Sequence, residues 1–204
     1  MTVLITDPLL EERFIEERKI CGSDRWDEVW EGVYIVTPLP NNEHQEIVSG
    51  LIYLFTEIVV HGGLGKVFPG VNLSDVDGDW EHDFRGPDVA VFLKTGKAID
   101  CGTHWRGAAD FLVEIVSPGD RTREKIPFYD RIGVVELLVI DRQPWALELY
   151  QRRDGRLQLT AQSILGKSDI LTSSSLPLTF QLVPGEIRPH ITVAQFSDNR
   201  SWMI

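Results

Sequence analysis

The sequence of 204 residues lacks several features that define particular classes of protein. It contains two cysteines, Cys21 and Cys101, which are too few for a disulfide framework. Its longest apolar runs, at 51–55 and 58–60, fall far short of the roughly 20 residues that a membrane-spanning helix needs. The N-terminus has no basic start followed by an apolar core, as a secretory signal would. We therefore expect a cytoplasmic protein.

Positive charge is also scarce, because 20 Lys and Arg stand against 31 Asp and Glu and give a formal net charge of −11. A protein that coats nucleic acid nonspecifically is not expected, since phosphate binding depends on Lys and Arg. A nuclease is still compatible with this charge, because the carboxylates of a metal site contribute to it and a bound divalent ion reverses the local field. The length fits one domain over residues 1–204.

Hydrophobic periodicity predicts an α/β fold. The expected helices cover 7–19, 43–60 and 120–132. The expected strands cover 29–36 (turned at Glu31-Gly32), 66–74, 87–94, 111–116 and 134–140, followed by an added β-hairpin of 145–151 and 156–163. The apolar strands 111–116 and 134–140, joined by a helix, predict a parallel crossover. The C-terminal segment, with Pro177, Pro184 and Pro189, is expected to be irregular apart from a short strand or two.

Two acidic residues lie where an acid is costly. Asp88 precedes the apolar run 89–93, and Glu114 lies inside FLVEIV, a predicted buried strand. An ionised carboxylate in such a strand is unfavourable unless it is paired or holds a metal ion. A basic partner for Glu114 is one explanation. The other is that the two acids, on neighbouring strands, converge as oxygen ligands for Mg²⁺, with the backbone carbonyl of Ile115 as a third ligand.

Three segments carry a resemblance to a known family: GPDVAV at 86–91, DFLVEIVSP at 110–118 and DRTREK at 120–125. They resemble the PD-(D/E)XK restriction-endonuclease-like superfamily, and most closely its bacterial branch called the Uma-two family, a domain of unknown function. The resemblance extends from about Trp26 to about Tyr150. It implies a restriction-endonuclease-like core, which is a mixed β-sheet flanked by helices. It also implies hydrolysis of a phosphodiester, in DNA, that depends on Mg²⁺ or Mn²⁺.

The resemblance also implies roles for particular residues. Asp88 and Glu114 correspond to the metal-binding acids. The superfamily has a lysine two residues after the glutamate, where this chain has Val116, and in this branch the matching lysine is Lys125 on the following helix. Its flexible stem allows the ammonium to reach the same place from a different part of the backbone. A solvated Lys125, paired with Glu124 or Asp130, is the alternative.

The predicted helix 43–60 contributes a further candidate. His44 shares an apolar face with Ile47, Val48 and Leu51, which turns it inward, and such a histidine is often only a hydrogen-bonded core residue. The resemblance implies that it lies close to the metal, so we expect a catalytic or supporting role. Glu43 and Glu46 are fallback ligands, and Glu31 lies where the family often has an acid. We expect Asp120 to cap the helix at 120–132 rather than bind metal.

The remaining basic residues near this site have two interpretations. Arg121, Arg123, Arg131 and Arg142 either form a positive edge for phosphate contacts or pair with neighbouring acids. Three functions therefore stay open: a Mg²⁺-dependent endonuclease, a scaffold that kept the fold without activity, and a hydrolase of a small phosphorylated substrate. Nucleases that cut both strands often pair two active sites, so a homodimer is expected.

A second group of possible metal ligands has a weaker pattern. Cys101-Gly-Thr-His104 has the spacing of half a zinc site, but the sequence shows no second half, and an unligated thiol in a loop is the favoured interpretation. The acidic segment 75–83 contains DVDGD, whose glycine comes too early for an EF-hand loop. It is expected to be a solvated turn.

Overall fold

A computed structural model describes residues 8–119, 121–167, 169–196 and 200–204. Its α-helices are α1 (Pro8–Cys21), α2 (Asn42–Phe55) and α3 (Ile126–Ile132). A π-helical turn, Thr56–Val60, continues α2, and short 3₁₀ turns cover Trp80–His82 and Thr122–Lys125. Within the described ranges, no helix is long and apolar enough to cross a membrane.

The strands follow the order of the chain. They are β1 (Glu28–Trp30), β2 (Val33–Ile35), β3 (Gly65–Pro69), β4 (Leu73–Ser74), β5 (Val89–Leu93), β6 (Ile99–Asp100), β7 (Trp105–Arg106), β8 (Phe111–Ile115), β9 (Glu136–Arg142), β10 (Trp145–Arg153), β11 (Arg156–Ile164), β12 (Leu171–Thr172), β13 (Leu178–Val183), β14 (His190–Gln195) and β15 (Ser201–Met203). The predicted strand 66–74 is divided between β3 and β4, which belong to different sheets.

A mixed six-stranded sheet forms the centre, in the order β11-β10-β9-β8-β5-β3. Strands β8 and β9 are parallel, as the crossover predicted, while the other neighbours in this sheet are antiparallel. The predicted hairpin β10–β11 turns at Asp154-Gly155, where both residues have positive φ, as a two-residue hairpin turn requires. The predicted α/β class with a mixed sheet and flanking helices is confirmed.

The two faces of the central sheet are covered by different layers. One face packs against α2 and the C-terminal strands, through residues such as Val91, Val113 and Phe180. The other face packs against α3, through Ala90, Leu112 and Tyr129. Side chains alternate between the faces along each strand, so Glu114, which follows Val113, points toward α3.

The helices that flank the site begin where local chemistry favours it. The Asn41 side chain caps α2 by accepting a hydrogen bond from the His44 amide at 2.9 Å. Pro127 lies in the first turn of α3, where its missing N–H costs nothing, so the helix begins at Ile126 after a 3₁₀ turn. Asp120, predicted as a cap, lies outside the described residues.

Helix α1 confirms the predicted helix at 7–19, but the apolar residues predicted to share one side of it are not all buried. Phe14 and Ile15 are half-buried, whereas Leu9 and Leu10 are exposed. An amphipathic pattern predicts burial only where another element lies against the apolar side, and within the described residues the start of α1 is incompletely covered.

The C-terminal segment is more regular than expected. Strands β12 to β15 form a four-stranded antiparallel sheet, and alternate residues of β13 and β14, such as Phe180 and Val193, are buried against the central sheet. The prolines led to the wrong expectation of an irregular segment. Pro177 and Pro189 lie just before β13 and β14, and Pro184 just after β13, so none interrupts a ladder.

A buried carboxylate joins this C-terminal sheet to the central one. Glu136 on β9 has no exposed surface and accepts hydrogen bonds from the Gln151 amide and the Ser173 hydroxyl, and from the backbone amides and hydroxyls of Ser174 and Ser175. Burial opposes ionisation, but these donors outweigh it and lower the pKa of Glu136 below its usual value. The carboxylate therefore holds the loop between β12 and β13.

Replacing Glu136 by Gln is expected to lower the free energy of unfolding at pH 7 by about 1–3 kcal/mol, because buried donors lose a charged acceptor. The pKa of Glu136 is lower in the folded protein than in the unfolded chain, where it is near 4.3. The stabilisation by the carboxylate is therefore complete above the unfolded-state pKa, and it disappears as the pH falls through the folded-state pKa. Urea unfolding of both proteins at several pH values measures it. A difference in stability that stays constant from pH 7 to pH 3 would contradict this account.

Candidate active site

The register of two neighbouring strands brings Asp88 and Glu114 to the same face of the central sheet. Val89 of β5 pairs with Val113 of β8, and Ala90 pairs with Leu112. Continuing this antiparallel register by one residue sets Asp88 opposite Glu114, and directly opposed residues project to the same side. Among the described residues, neither carboxyl group is paired with a guanidinium.

Asp88 is held at the end of β5 by two contacts. Its Oδ2 accepts a hydrogen bond from the backbone amide of Ile115 at 2.7 Å, and its Oδ1 lies 3.1 Å from His44 Nε2. The N–H and C=O of one strand residue point to the same side, so the Ile115 carbonyl also faces the Asp88 side of β8. The Asp88 side chain keeps 23% of its surface exposed, which makes it the accessible acid of the pair.

Glu114 is almost completely enclosed, with 2% of its surface exposed. Its Oε1 accepts a hydrogen bond from the Tyr129 hydroxyl and lies 3.2 Å from Lys125 Nζ. Burial raises the pKa of the Glu114 carboxyl to about 8; the Lys125 ammonium opposes this rise, and the negative charges of Asp88 and Glu28 add to it. The site therefore holds a carboxyl group whose ionisation is costly without a further cation.

Lys125 lies at the end of the 3₁₀ turn before α3 and reaches back over the sheet. Its Nζ contacts Glu28 Oε1 at 2.7 Å, the Gly86 carbonyl at 3.1 Å and Glu114 Oε1 at 3.2 Å. Burial alone would lower the pKa of Lys125, but the surrounding carboxylates outweigh this and raise it. The solvated alternative is wrong, since Glu124 pairs with Arg121 and Asp130 with Arg152.

Glu28 belongs to this cluster, although the sequence reasoning did not select it. Its Oε1 also accepts from the Gly86 amide at 3.0 Å, and its Oε2 accepts from the indole of Trp30 at 2.6 Å. The spacing of Glu28 and Trp30 could have revealed it. They are alternate residues of β1, so their side chains lie on the same face, and a buried Trp30 predicts a buried Glu28.

Tyr129 was also missed. It is fully buried beside Glu114, and burial together with the charge of Glu114 raises the pKa of its hydroxyl well above the usual value. The hydroxyl therefore stays protonated and donates to the carboxylate. Helical spacing could have found it, because Tyr129 follows Lys125 by four residues and both turn toward the sheet.

His44 is buried at the start of α2, and its Nε2 lies 3.1 Å from Asp88 Oδ1. Its Nδ1 is buried and has no hydrogen-bond partner among the described residues. The contact with Asp88 is best made by a protonated Nε2 that donates to the carboxylate. His44 is therefore placed to orient Asp88.

The other acids suggested by the sequence lie elsewhere. Glu31 is an exposed residue of the β1–β2 turn beside Arg131, Glu43 pairs with Arg142 at 2.9 Å, and Glu46 pairs with Arg188 at 3.2 Å. Side chains at an exposed turn or on the solvent side of a first helical turn are free to find basic partners. The structure does not bring them into the cluster around Glu114.

A cleft runs beside the Val116 end of β8, and arginines line it. Its lining includes Asn41, Ser117, Arg121, Arg123 and Arg142. Each of these arginines is paired with acids: Arg121 with Glu124, Arg123 with Asp141 and Glu148, and Arg142 with Glu43. Arg131 likewise contacts Glu31, Asp75 and Asp83. The ion-pair interpretation of these residues is correct in this structure.

The mixed sheet with flanking helices and an acid pair at one strand end defines a restriction-endonuclease-like protein. A crystal structure described as "a putative nuclease belonging to DUF820" from Anabaena variabilis ATCC 29413 shares the fold, with a TM-score of 0.55 and 20% sequence identity, over 72% of this chain and 80% of that chain.

The family model named Uma2 and described as "Putative restriction endonuclease" matches residues 18–187. The chain belongs to this family, which confirms the resemblance drawn from the sequence and supports a nuclease-like function. No curated protein matches the chain.

Proposed function

We propose that the chain is a metal-dependent endonuclease that hydrolyses phosphodiester bonds in DNA by a metal-activated water. In this proposal Asp88, Glu114 and the Ile115 carbonyl hold Mg²⁺ or Mn²⁺. Lys125 supplies positive charge, and His44 positions Asp88. No covalent intermediate is needed.

The observation that carries the proposal is an excess of carboxyl groups around one ammonium. Glu28, Asp88 and Glu114 all raise the pKa of Lys125, while the pKa of Glu114 itself is raised by burial and by the other two acids. A divalent cation bound between Asp88 and Glu114 would relieve this repulsion. The donor set fits Mg²⁺, which prefers carboxylate and carbonyl oxygens and usually keeps several waters.

A divalent ion held by these residues would lower the pKa of an attacking water and would neutralise negative charge on the phosphate oxygens. Hydrogen bonds within the protein hold the two acidic side chains in position. The Ile115 amide and His44 fix the orientation of Asp88, and the Tyr129 hydroxyl fixes Glu114. The hydrogens of Lys125 are already directed at Glu28, Gly86 and Glu114, so it acts through its charge, which favours the more negative transition state.

The substrate is proposed from the arginine-lined cleft at Val116, two residues after Glu114. Glu124 is exposed and Arg121 is half-buried, and a pair at the surface contributes little stability, so a phosphate can replace Glu124 as the partner of Arg121. The pairing of every cleft arginine and the net charge of −11 favour a second candidate, a hydrolase of a small phosphorylated substrate. Comparing cleavage of plasmid DNA, single strands and nucleotides separates the two.

Binding of Mg²⁺ or Mn²⁺ is expected to raise the melting temperature of the wild-type protein and not that of Asp88→Ala. At 100 times the dissociation constant, a ligand stabilises the folded state by about 2.7 kcal/mol, or roughly 5–10 °C for a chain of this size. Differential scanning fluorimetry with increasing metal concentration measures the shift.

Asp100→Ala is the matched control, because Asp100 is an exposed acid paired with Lys66 and lies outside the cluster. It should keep the full shift. If the wild-type protein responds to neither ion, or if Asp88→Ala responds equally, the proposed metal site is wrong and a scaffold role is favoured. If the substrate is DNA and both strands are cut, we also expect a homodimer, which light scattering of the DNA-bound protein tests.

A further inference from the structure

A second group of metal-ligand side chains lies on the small sheet formed by β4, β7 and β6. Strand β4 pairs with β7 in parallel, Leu73 with Trp105 and Ser74 with Arg106. This pairing brings the turn after β4, which contains Asp77, against the loop 101–104. Within the described residues, this is the one place where at least three His, Cys, Asp or Glu residues bring ligand atoms within 4.8 Å of one another: Asp77, Cys101 and His104.

The spacing of the two most accessible ligand atoms fits a zinc ion. Cys101 Sγ lies 3.6 Å from Asp77 Oδ1. With Zn–S near 2.3 Å and Zn–O near 2.0 Å, tetrahedral coordination separates a sulfur and an oxygen ligand by about 3.5 Å. These two atoms can therefore bind one ion without a change in the backbone.

The outer contacts of Asp77 and His104 are those that orient metal ligands. Arg106 Nη1 donates to Asp77 Oδ2 at 2.8 Å, which leaves Oδ1 directed toward Cys101. His104 Nε2 lies 3.1 Å from the Val76 carbonyl, to which it must donate. Ligating histidines commonly donate their second nitrogen to a carbonyl in this way, and ligating carboxylates are themselves hydrogen-bonded.

These contacts determine which nitrogen of His104 can bind metal. Because Nε2 carries the proton, Nδ1 carries the lone pair, and the Thr103 hydroxyl faces it at 3.2 Å. The ring is nearly buried and stacks on Trp80 with centroids 4.8 Å apart. Binding metal at Nδ1 would replace one hydrogen bond, from a Thr103 hydroxyl that can turn to water.

We propose that Asp77, Cys101 and His104 bind Zn²⁺, with a water molecule as the fourth ligand. Thiolate and imidazole favour zinc over Mg²⁺, which distinguishes this site from the oxygen ligands around Glu114. Binding releases the thiol proton to solvent. The ion would join the 75–79 turn to the 101–104 loop and stabilise the small sheet.

Cobalt(II) provides a direct test, because a cobalt–thiolate bond gives a charge-transfer absorption band in the near ultraviolet. The full chain, kept reduced with a phosphine, is titrated with Co²⁺. We expect the band to saturate at one ion per chain and to disappear when Zn²⁺ is added. Cys101→Ser should abolish it, and Asp77→Asn should weaken Co²⁺ binding at least tenfold.

Cys21→Ser is the matched control, since Cys21 is an exposed thiol on α1 whose contacts are with Glu17, Arg18 and Ser23. It should keep the band, and so should Asp88→Ala, which separates this site from the proposed catalytic metal. Zn²⁺ should also raise the melting temperature of the wild type and not of Cys101→Ser. A wild-type protein without the band, or a band that survives Cys101→Ser, overturns the proposal.

Discussion

Glu114→Gln is expected to lower the rate of metal-dependent hydrolysis by about a thousandfold or more while leaving the protein folded. Removing one member of a catalytic group commonly costs this much or more. The substitution deletes the negative charge that we propose binds the metal, and the amide keeps the size of the side chain. The folded protein loses little by giving up that charge, because burial already raises the pKa of Glu114 and Lys125 keeps Glu28 as an ion-pair partner at 2.7 Å.

The matched control for Glu114→Gln is Glu136→Gln, which neutralises another buried glutamate of the same sheet. The two substitutions should have opposite effects: Glu114→Gln removes activity and keeps stability, whereas Glu136→Gln removes stability and keeps activity at temperatures where the protein is folded. Plasmid nicking and urea unfolding measure both quantities. Substantial activity in a folded Glu114→Gln protein would remove Glu114 from the proposed mechanism.

Lys125→Met is expected to reduce both activity and stability. It leaves Glu28 and Glu114 without their shared ammonium, and removing one partner of a buried ion pair costs about 3–5 kcal/mol. Activity should fall about 100- to 1,000-fold, the range found when a positioned group that stabilises developing charge is removed. Both effects have the same origin, because this ammonium balances the charge of the carboxylates, among them Glu114, which we propose holds the metal.

A double substitution separates the two effects of Lys125. Lys125→Met combined with Glu114→Gln should recover part of the lost stability, because one uncompensated carboxylate is removed, and should recover no activity. Lys66→Met is the control for loss of a lysine, since the Lys66–Asp100 pair is exposed and its removal should change stability by less than about 0.5 kcal/mol. If the activity of folded Lys125→Met matches that of the wild type, the proposed role of Lys125 is wrong.

The predicted elements near the site were confirmed because each has a strong local signal. Asn41 caps α2 before a clear helical periodicity, and the apolar segment around Glu114 forms a strand with both faces covered. The resemblance placed Lys125 on the helix after β8, and the structure brings its ammonium to Glu114. In contrast, Glu28 and Tyr129 have no motif of their own, and their contacts depend on how β1 and α3 pack against the sheet.

The proposed zinc ligands also show that the sequence does not predict contacts between residues that lie far apart in the chain. Cys101 and His104 were recognised as half of a metal-ligand pattern, and Asp77 was assigned to a separate acidic turn. The parallel pairing of β4 and β7, two strands of two residues each, joins them. Strands this short carry almost no periodicity, so no pattern in the chain predicts that they meet.

The sequence by itself determined the fold class, the order of the main elements, and the fact that Asp88 and Glu114 lie at costly positions. These follow from local rules, since periodicity, capping and turn residues act over a few positions. Only the tertiary structure decided which partners each charge has: Glu28 and Tyr129 at Glu114, acids at the cleft arginines, and serines at Glu136. Electrostatic and hydrogen-bond energies depend on distance in space, and strand pairing sets that distance between residues that can be a hundred positions apart.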